Sequence, residues 1–198
     1  MTTIKDQSYE IEHFPVTTEV SDRINRTGNI ICDLKVNSVL DIGGADFFQL
    51  CKNKNIHYRS LNIEEPQKTG TGGYHKAPYT ITYDGKIIPF ASNTFELVIV
   101  NFVLHHTPDN VLDLLQQIHS ISSKYVLIGE DIAGLDYELQ WHKRNYEHQP
   151  GGIFRSDQEW KILFDLYKMR LIKQCIIHRT TDGDQNKIYR ALYILEKI

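Results

Sequence analysis

The chain has 198 residues, of which 41% are hydrophobic and 24% are charged, and its formal net charge is −3. A chain of this length can bury one sizeable core but hardly two, so we expect a single domain over residues 1–198. The charge balance gives no strongly basic face of the kind that follows a phosphate backbone, so nucleic acid is an unsupported partner, although not an excluded one.

The spacing of the cysteines and the composition of the first residues indicate the cellular compartment of the protein. Cys32, Cys51 and Cys175 stand far apart and form no CxxC pair, which favours reduced thiols and predicts no metal site. Residues 1–14 are polar and mixed in charge, unlike a signal peptide, and no apolar run is long enough to span a bilayer. We therefore expect a cytoplasmic protein without a membrane partner, and the oligomeric state is left open.

Hydrophobic periodicity predicts alternating helices and strands along the chain. The predicted elements are helix 18–34, strands 36–42, 57–63, 79–83 and 95–101, helix 109–120, strand 125–129, helix 157–167 with Ser156 as its N-cap, and strands 171–178 and 188–195. The glycine- and proline-containing stretch 66–74 predicts a long loop. This alternation predicts an open α/β sheet, in which ligands bind at the carboxyl ends of the strands.

Polar side chains follow several of these strands. Asp41 comes just before Gly43 and Gly44, and Asn62 and Glu64 follow about 20 residues later, the spacing at which nucleotide-binding folds hold a ribose. Asp84 then ends the third predicted strand. Glycine after a strand allows close backbone approach to a ligand, and carboxylates or amides accept hydrogen bonds from hydroxyl and amino groups.

Two longer motifs carry a family resemblance. Residues 89–98 read Pro-Phe-Ala-Ser-Asn-Thr-Phe-Glu-Leu-Val, and residues 103–106 read Val-Leu-His-His. With the glycine motif at 41–45, they resemble the class I S-adenosylmethionine-dependent methyltransferases, particularly the small-molecule group. The resemblance implies a Rossmann-like α/β fold with a seven-stranded, mostly parallel sheet, helices on both faces and an antiparallel last strand.

The resemblance also implies S-adenosyl-L-methionine as the cofactor, with S-adenosyl-L-homocysteine as product. It assigns Asp41 and Gly43 to the methionine end, Asn62 to the ribose and Asp84 to the adenine amino group. The full set of implied cofactor residues is Asp41, Gly43, Gly44, Asn62, Ile63, Glu64, Asp84, Gly85, Asn101 and Phe102. The sequence departs from the family pattern at Ala45, at Asn62, where an acidic residue is usual, and in the glycine-rich loop.

The predicted domain has four parts. Residues 1–35 form an N-terminal helical cover, 36–131 the cofactor-binding core, 132–170 a helical insert or lid, and 171–198 the closing strands. The insert is rich in aromatic and histidine side chains, which suit a lid over a planar or sugar-like acceptor or plain packing. Its candidate substrate-binding residues are Tyr137, Trp141 and His142.

Candidate catalytic groups lie near the fourth and fifth strand ends. His105 and His106 ionise near neutral pH and could act as a general base. Glu130 and Asp131 could accept a proton or bind the acceptor. Each has a plainer alternative: the histidines could pack or hydrogen-bond to the backbone, and Asp131 could cap the next segment.

These observations predict an enzyme that transfers a methyl group to oxygen or nitrogen of a small-molecule acceptor. Methylation of RNA or protein is an alternative, favoured if Lys143, Arg144 and Arg155 converge beside the pocket. An inactive methyltransferase-like binding or scaffold protein is another. A nicotinamide dehydrogenase is disfavoured, because Ala45 and Phe48 occupy glycine positions of its phosphate-binding motif.

Overall fold

The computed structural model describes residues 9–14, 20–63, 80–107, 109–132, 153–180 and 187–198. The strands are β1 (Glu10–Phe14), β2 (Ser38–Ile42), β3 (His57–Ile63), β4 (Thr80–Tyr83), β5 (Phe95–Asn101), β6 (Ser122–Ile132), β7 (Met169–Thr180) and β8 (Lys187–Lys197). The helices are α1 (Val20–Asp33), α2 (Phe48–Asn53), α3 (Val111–Ile121) and α4 (Asp157–Leu166), and Leu104–His106 forms a 3-10 turn. Within this part of the chain, no helix is both long and apolar enough to cross a bilayer.

All eight strands form one sheet in the order β1-β7-β8-β6-β5-β2-β3-β4. β8 runs antiparallel to both β6 and β7, and the other neighbours are parallel. The predicted Rossmann-like fold with a mostly parallel sheet, helices on both faces and an antiparallel last strand is therefore confirmed. The sheet has one strand more than the predicted seven.

The additional strand is β1, which pairs with β7 at the edge of the sheet. Its two apolar residues, Ile11 and Phe14, are three positions apart and so do not give the alternation that predicts a strand. Lys173 on β7 offsets the negative charge of the strand, since its ammonium nitrogen lies 2.6 Å from Glu12 Oε1 and 3.8 Å from a carboxylate oxygen of Glu10. An edge strand needs no continuous apolar face when its charges are paired in this way.

The core lies on both faces of the sheet because successive strand residues point to opposite sides. On β5, Leu97 and Ile99 pack in the cluster formed with α1 and α2, whereas Val98 and Val100 pack in the cluster formed with α3 and α4. All four side chains are fully buried. This double burial explains why the sequence of β5 is nearly continuous apolar residues.

The strand order places a topological switch point at β2, which lies between β5 and β3. The carboxyl ends of β4, β3, β2, β5 and β6 all lie at the same edge of the sheet, because these five strands are mutually parallel. We call this the carboxyl edge. In open α/β sheets ligands bind at this edge, beside the switch point.

Candidate active site at the carboxyl edge

A tight glycine turn follows β2 at the switch point. Gly43 has a φ of +77°, a conformation that is costly for residues with a Cβ, and its N–H donates to the Leu61 carbonyl at 2.8 Å. A Cβ placed on Gly43 would lie 2.3 Å from Cγ2 of Val103. Glycine is therefore required here both for the backbone conformation and for the close approach of the segment after β5.

Asp41 lies beneath this turn. Its side chain is buried, and its Oδ2 accepts a hydrogen bond from the Tyr58 hydroxyl at 2.7 Å. A Cβ on Gly44 would lie 2.7 Å from Asp41 Oδ1, so the carboxylate lies directly against the backbone of the turn. Burial and the nearby Asp41 raise the pKa of Tyr58, which keeps the hydroxyl protonated as the donor.

The end of β3 faces the same turn. The side-chain amide of Asn62 donates to the Gly44 carbonyl over a long 3.4 Å. Ile63 is 55% exposed although it is a large apolar residue. Glu64, the alternative ribose-binding residue, lies outside the described residues.

Asp84 closes β4 with a compact turn. Its Oδ1 accepts hydrogen bonds from the backbone N–H groups of Lys86 at 2.8 Å and Ile87 at 3.0 Å. These bonds hold the pKa of Asp84 below its usual value, so it is ionised at neutral pH. Gly85 has a φ of +78°, and a Cβ there would lie 3.1 Å from Ile63, which shows how closely the ends of β3 and β4 approach.

The end of β5 contains a buried acceptor. Asn101 Oδ1 is shielded from solvent and has no hydrogen-bond partner among the described residues. It lies 2.5 Å from the position that a Cβ on Gly129 would occupy, so a side chain on that residue of β6 would displace it. The next residue, Phe102, adopts a φ of +58°, and its N–H donates to the Gly129 carbonyl at 2.7 Å.

Glu130 and His105 form a buried pair. Glu130 Oε2 lies 2.7 Å from His105 Nδ1, and Oε1 accepts the Leu104 N–H at 2.8 Å. Their exposed fractions are 0% and 3%. Burial raises the pKa of Glu130, while the hydrogen bond from His105 opposes that increase. The pair fixes the 3-10 turn against β6 and uses Nδ1, so proton exchange between His105 and a ligand would require Nε2.

His106 lies on the solvent side of this pair. Its ring centroid is 4.0 Å from that of His105, which also stacks on Phe154 at 4.9 Å. Partial loss of solvation and the neighbouring His105 lower the pKa of His106 to about 4, although its side chain retains an exposed face. His106 is therefore neutral at physiological pH.

Asp131 is paired with a residue that sequence reasoning missed. Arg190, its cross-strand partner on β8, donates from Nε to Asp131 Oδ1 at 2.6 Å. The Arg190 guanidinium carbon also lies 4.8 Å from the centre of the Phe102 ring. No local signal marks Arg190, because its proximity to Asp131 depends on the β6–β8 register.

No protein-family model and no curated protein sequence matches the chain, whereas many solved structures are similar to it. A SAM-dependent methyltransferase from Archaeoglobus fulgidus superposes with a TM-score of 0.62 at 15% identity, covering 88% of this chain and 94% of that one. One from Methanosarcina mazei gives 0.59 at 15% identity, covering 85% and 97%. The chain has the class I methyltransferase fold.

The same fold also occurs in an enzyme named for a different reaction. The cyclase SpnF superposes with a TM-score of 0.66 at 9% identity, covering 87% of this chain and 80% of that one. At identities this low, the superposition establishes the fold alone. The reaction depends on the residues of the site.

The methyltransferase fold brings the described candidates together at the carboxyl edge. From β4 towards β6, the edge presents Asp84, Asn62, Gly43, Asn101 and Glu130, each from a different strand end. The predicted acceptor residues Tyr137, Trp141 and His142 lie outside the described residues. In the part of the chain that the structure describes, no three potential ligands cluster as a metal site would require.

Proposed function

We propose that the protein is an S-adenosyl-L-methionine-dependent methyltransferase that acts on oxygen or nitrogen of a small-molecule acceptor. The observation that carries the proposal is the buried Oδ1 of Asn101, which has no hydrogen-bond partner among the described residues. The register pairs Ile42 with Val100, so Asn101 lies level with Gly43 at the switch point. An acceptor group and a glycine turn therefore face the same ligand-binding edge.

The residues present fit the cofactor at this position. An unpaired buried acceptor costs about 1–3 kcal/mol, so a bound donor there is favourable. The α-ammonium group of the methionine moiety is such a donor, and Asn101 Oδ1 would accept from it. The bound cofactor supplies a methyl group on a sulfonium sulfur, ready for displacement by a nucleophile.

The neighbouring strand ends support the remainder of the cofactor. Asp84 presents an ionised carboxylate beyond β4, suited to accept from the adenine amino group. The exposed Ile63 provides an apolar surface beside it. Asn62 uses its amide N–H on Gly44, which leaves its carbonyl oxygen as the acceptor for a ribose hydroxyl. Asp41 lies against the glycine turn, where its carboxylate approaches Gly44.

The acceptor side is assigned to β6 and the 3-10 turn. In the proposed reaction His105 takes the acceptor proton at Nε2, and Glu130 is a positioning residue that holds Nδ1. Asp131 is a weaker candidate for the base, because its Oδ1 already accepts a hydrogen bond from Arg190 Nε at 2.6 Å. Tyr137, Trp141 and His142 remain predicted contacts to the acceptor.

Calorimetric titration with S-adenosyl-L-methionine and S-adenosyl-L-homocysteine tests the proposal. The decisive variant is Asn101→Leu, compared with Asn53→Leu, an exposed position at the end of α2. We expect Asn101→Leu to weaken binding at least about tenfold, the effect of losing one charge-assisted hydrogen bond. Its unfolding midpoint should stay equal or rise, because the variant also removes an unpaired buried polar atom.

Two results would contradict this proposal. If the folded wild-type protein binds neither ligand, the inactive scaffold interpretation replaces it. If Asn101→Leu binds as tightly as the wild type, Asn101 Oδ1 does not accept a hydrogen bond from the cofactor, even though the cofactor binds. Asp84→Ala provides an independent check at the adenine end, where we expect weaker binding; its unfolding midpoint is measured alongside, because Asp84 also accepts from the Lys86 and Ile87 N–H groups.

A further inference from the structure

We propose that Arg190 binds a carboxylate group of the acceptor, so that the substrates of this protein are anionic small molecules. The inference rests on the proposed function, which it extends from the cofactor to the chemical class of the acceptor. Arg190 is absent from the residues that the sequence indicated. Its position, its contacts and its donor geometry each support the assignment.

Arg190 is held rigidly at the carboxyl edge. Its Nε donates to Asp131 Oδ1 at 2.6 Å, and its guanidinium lies over the Phe102 ring. The exposed fractions of the Arg190 and Asp131 side chains are only 19% and 10%. Because the ring covers one face and the carboxylate one edge, little side-chain entropy remains to be lost when a ligand binds.

The contact to Asp131 uses only part of the guanidinium. Arginine has five N–H donors in a planar fork, and the bond to Asp131 is made by Nε. Among the described residues, the two terminal nitrogens of Arg190 have no hydrogen-bond partner. A carboxylate can accept two parallel bonds from such a pair of nitrogens, which is the geometry in which arginine binds anions best.

A second arginine of the closing hairpin, Arg170, lacks this arrangement. Arg170 on β7 pairs with Glu196 on β8, also across the antiparallel ladder. That pair is 48% and 35% exposed and lies at the opposite end of the hairpin. It is an ordinary surface ion pair, of the kind that contributes little binding energy.

The sheet order places Arg190 on the acceptor side of the site. β8 is three strands from β2, in the direction away from β3 and β4, where the adenosine groups are proposed to bind. Three strand spacings are about 14 Å. The Phe102 ring that the guanidinium contacts belongs to the segment directly after β5, so Arg190 lies beside the proposed methionine subsite, on the side away from β3 and β4.

The methionine group of the cofactor also has a carboxylate. The experiment therefore distinguishes binding of the acceptor carboxylate by Arg190 from binding of the cofactor carboxylate. The measurements are titrations of protein saturated with S-adenosyl-L-homocysteine, using benzoate as the anionic probe and benzamide as its neutral counterpart. The variants are Arg190→Gln, Arg190→Lys and, as the matched control, Arg170→Gln. Affinity for S-adenosyl-L-homocysteine and for 5′-methylthioadenosine, which lacks the amino-acid group, is measured for each variant.

We expect benzoate, and not benzamide, to bind saturably to the wild type and to Arg170→Gln. Arg190→Gln should weaken benzoate binding at least about tenfold, and Arg190→Lys should restore it only in part, because lysine keeps the charge and loses the fork. Affinity for S-adenosyl-L-homocysteine should be the same in all four proteins.

The inference is overturned if benzoate fails to bind the wild type, or binds Arg190→Gln equally well. It is also overturned if Arg190→Gln loses affinity for S-adenosyl-L-homocysteine and not for 5′-methylthioadenosine, since Arg190 would then hold the cofactor. Failure of the wild type to bind S-adenosyl-L-homocysteine at all is a different result, because it contradicts the proposed function itself.

Discussion

At the residue scale, the protonation of the Glu130–His105 pair makes the free energy of unfolding depend on pH. Burial raises the folded-state pKa of Glu130 above its unfolded value, so the folded protein holds this proton more tightly. The resulting stabilisation is present at low pH and is lost as pH rises from about 4 through the folded-state pKa. Each pKa unit of difference corresponds to about 1.4 kcal/mol.

Replacing Glu130 with Gln removes this titration while keeping an acceptor for the Leu104 N–H. We therefore expect the free energy of unfolding of the wild type, relative to Glu130→Gln, to fall as pH increases over that range. Urea unfolding of both proteins at matched pH values measures the difference, and titrating groups that do not contact Glu130 cancel. A difference that does not change with pH would show that Glu130 keeps its ordinary pKa in the fold.

At the element scale, α4 depends on its first turn. Ser156 Oγ accepts from the Glu159 N–H at 3.2 Å, and the Glu159 carboxylate accepts from the Ser156 N–H at 2.7 Å, which forms a capping box. The helix places Trp160 and Phe164 in the core, fully buried against the sheet. The local cap thus fixes where these two large side chains enter the core.

Ser156→Ala should lower the free energy of unfolding by about 1 kcal/mol, since it removes the Oγ that accepts from the Glu159 N–H and donates to the Glu159 carboxylate, while the Ser156 N–H is kept. Chemical denaturation measures the loss. Ser92→Ala is the matched control, because Ser92 is an exposed serine whose hydroxyl contacts only another serine hydroxyl, that of Ser120. Equal stability of the two variants would mean that α4 is held by packing alone.

At the scale of the whole molecule, ligand binding and folding are linked. A cofactor that binds only the folded protein stabilises it by about 2.7 kcal/mol when its free concentration is one hundred times the Kd. For a chain of 198 residues this corresponds to a rise in Tm of roughly 5–10 °C. Scanning calorimetry with S-adenosyl-L-homocysteine should show this rise, with a smaller one at the same concentration for Asn101→Leu. An unchanged wild-type Tm under saturating ligand would contradict the proposed site.

Much of the fold was predictable because its determinants are local. The bounds of β3 and β5 were predicted as the structure has them, since both strands are flanked by clear turn signals. β6 begins three residues earlier than predicted, because Ser122 and Ser123 resemble a turn although their hydroxyls bond to the backbone carbonyls of Tyr125 and Phe95. β1 was not predicted, because a strand at the edge of a sheet tolerates polar side chains and needs no hydrophobic alternation.

The sequence by itself determined the order of elements, the buried strands and which polar residues follow each strand end, because periodicity and turn chemistry act between neighbours in the chain. Only the tertiary structure decided how those residues meet. Glu130 lies 25 residues from His105, and Asp131 lies 59 residues from Arg190, yet both pairs are in contact. Strand order and register control such contacts, and both depend on packing between distant segments, which no local pattern encodes.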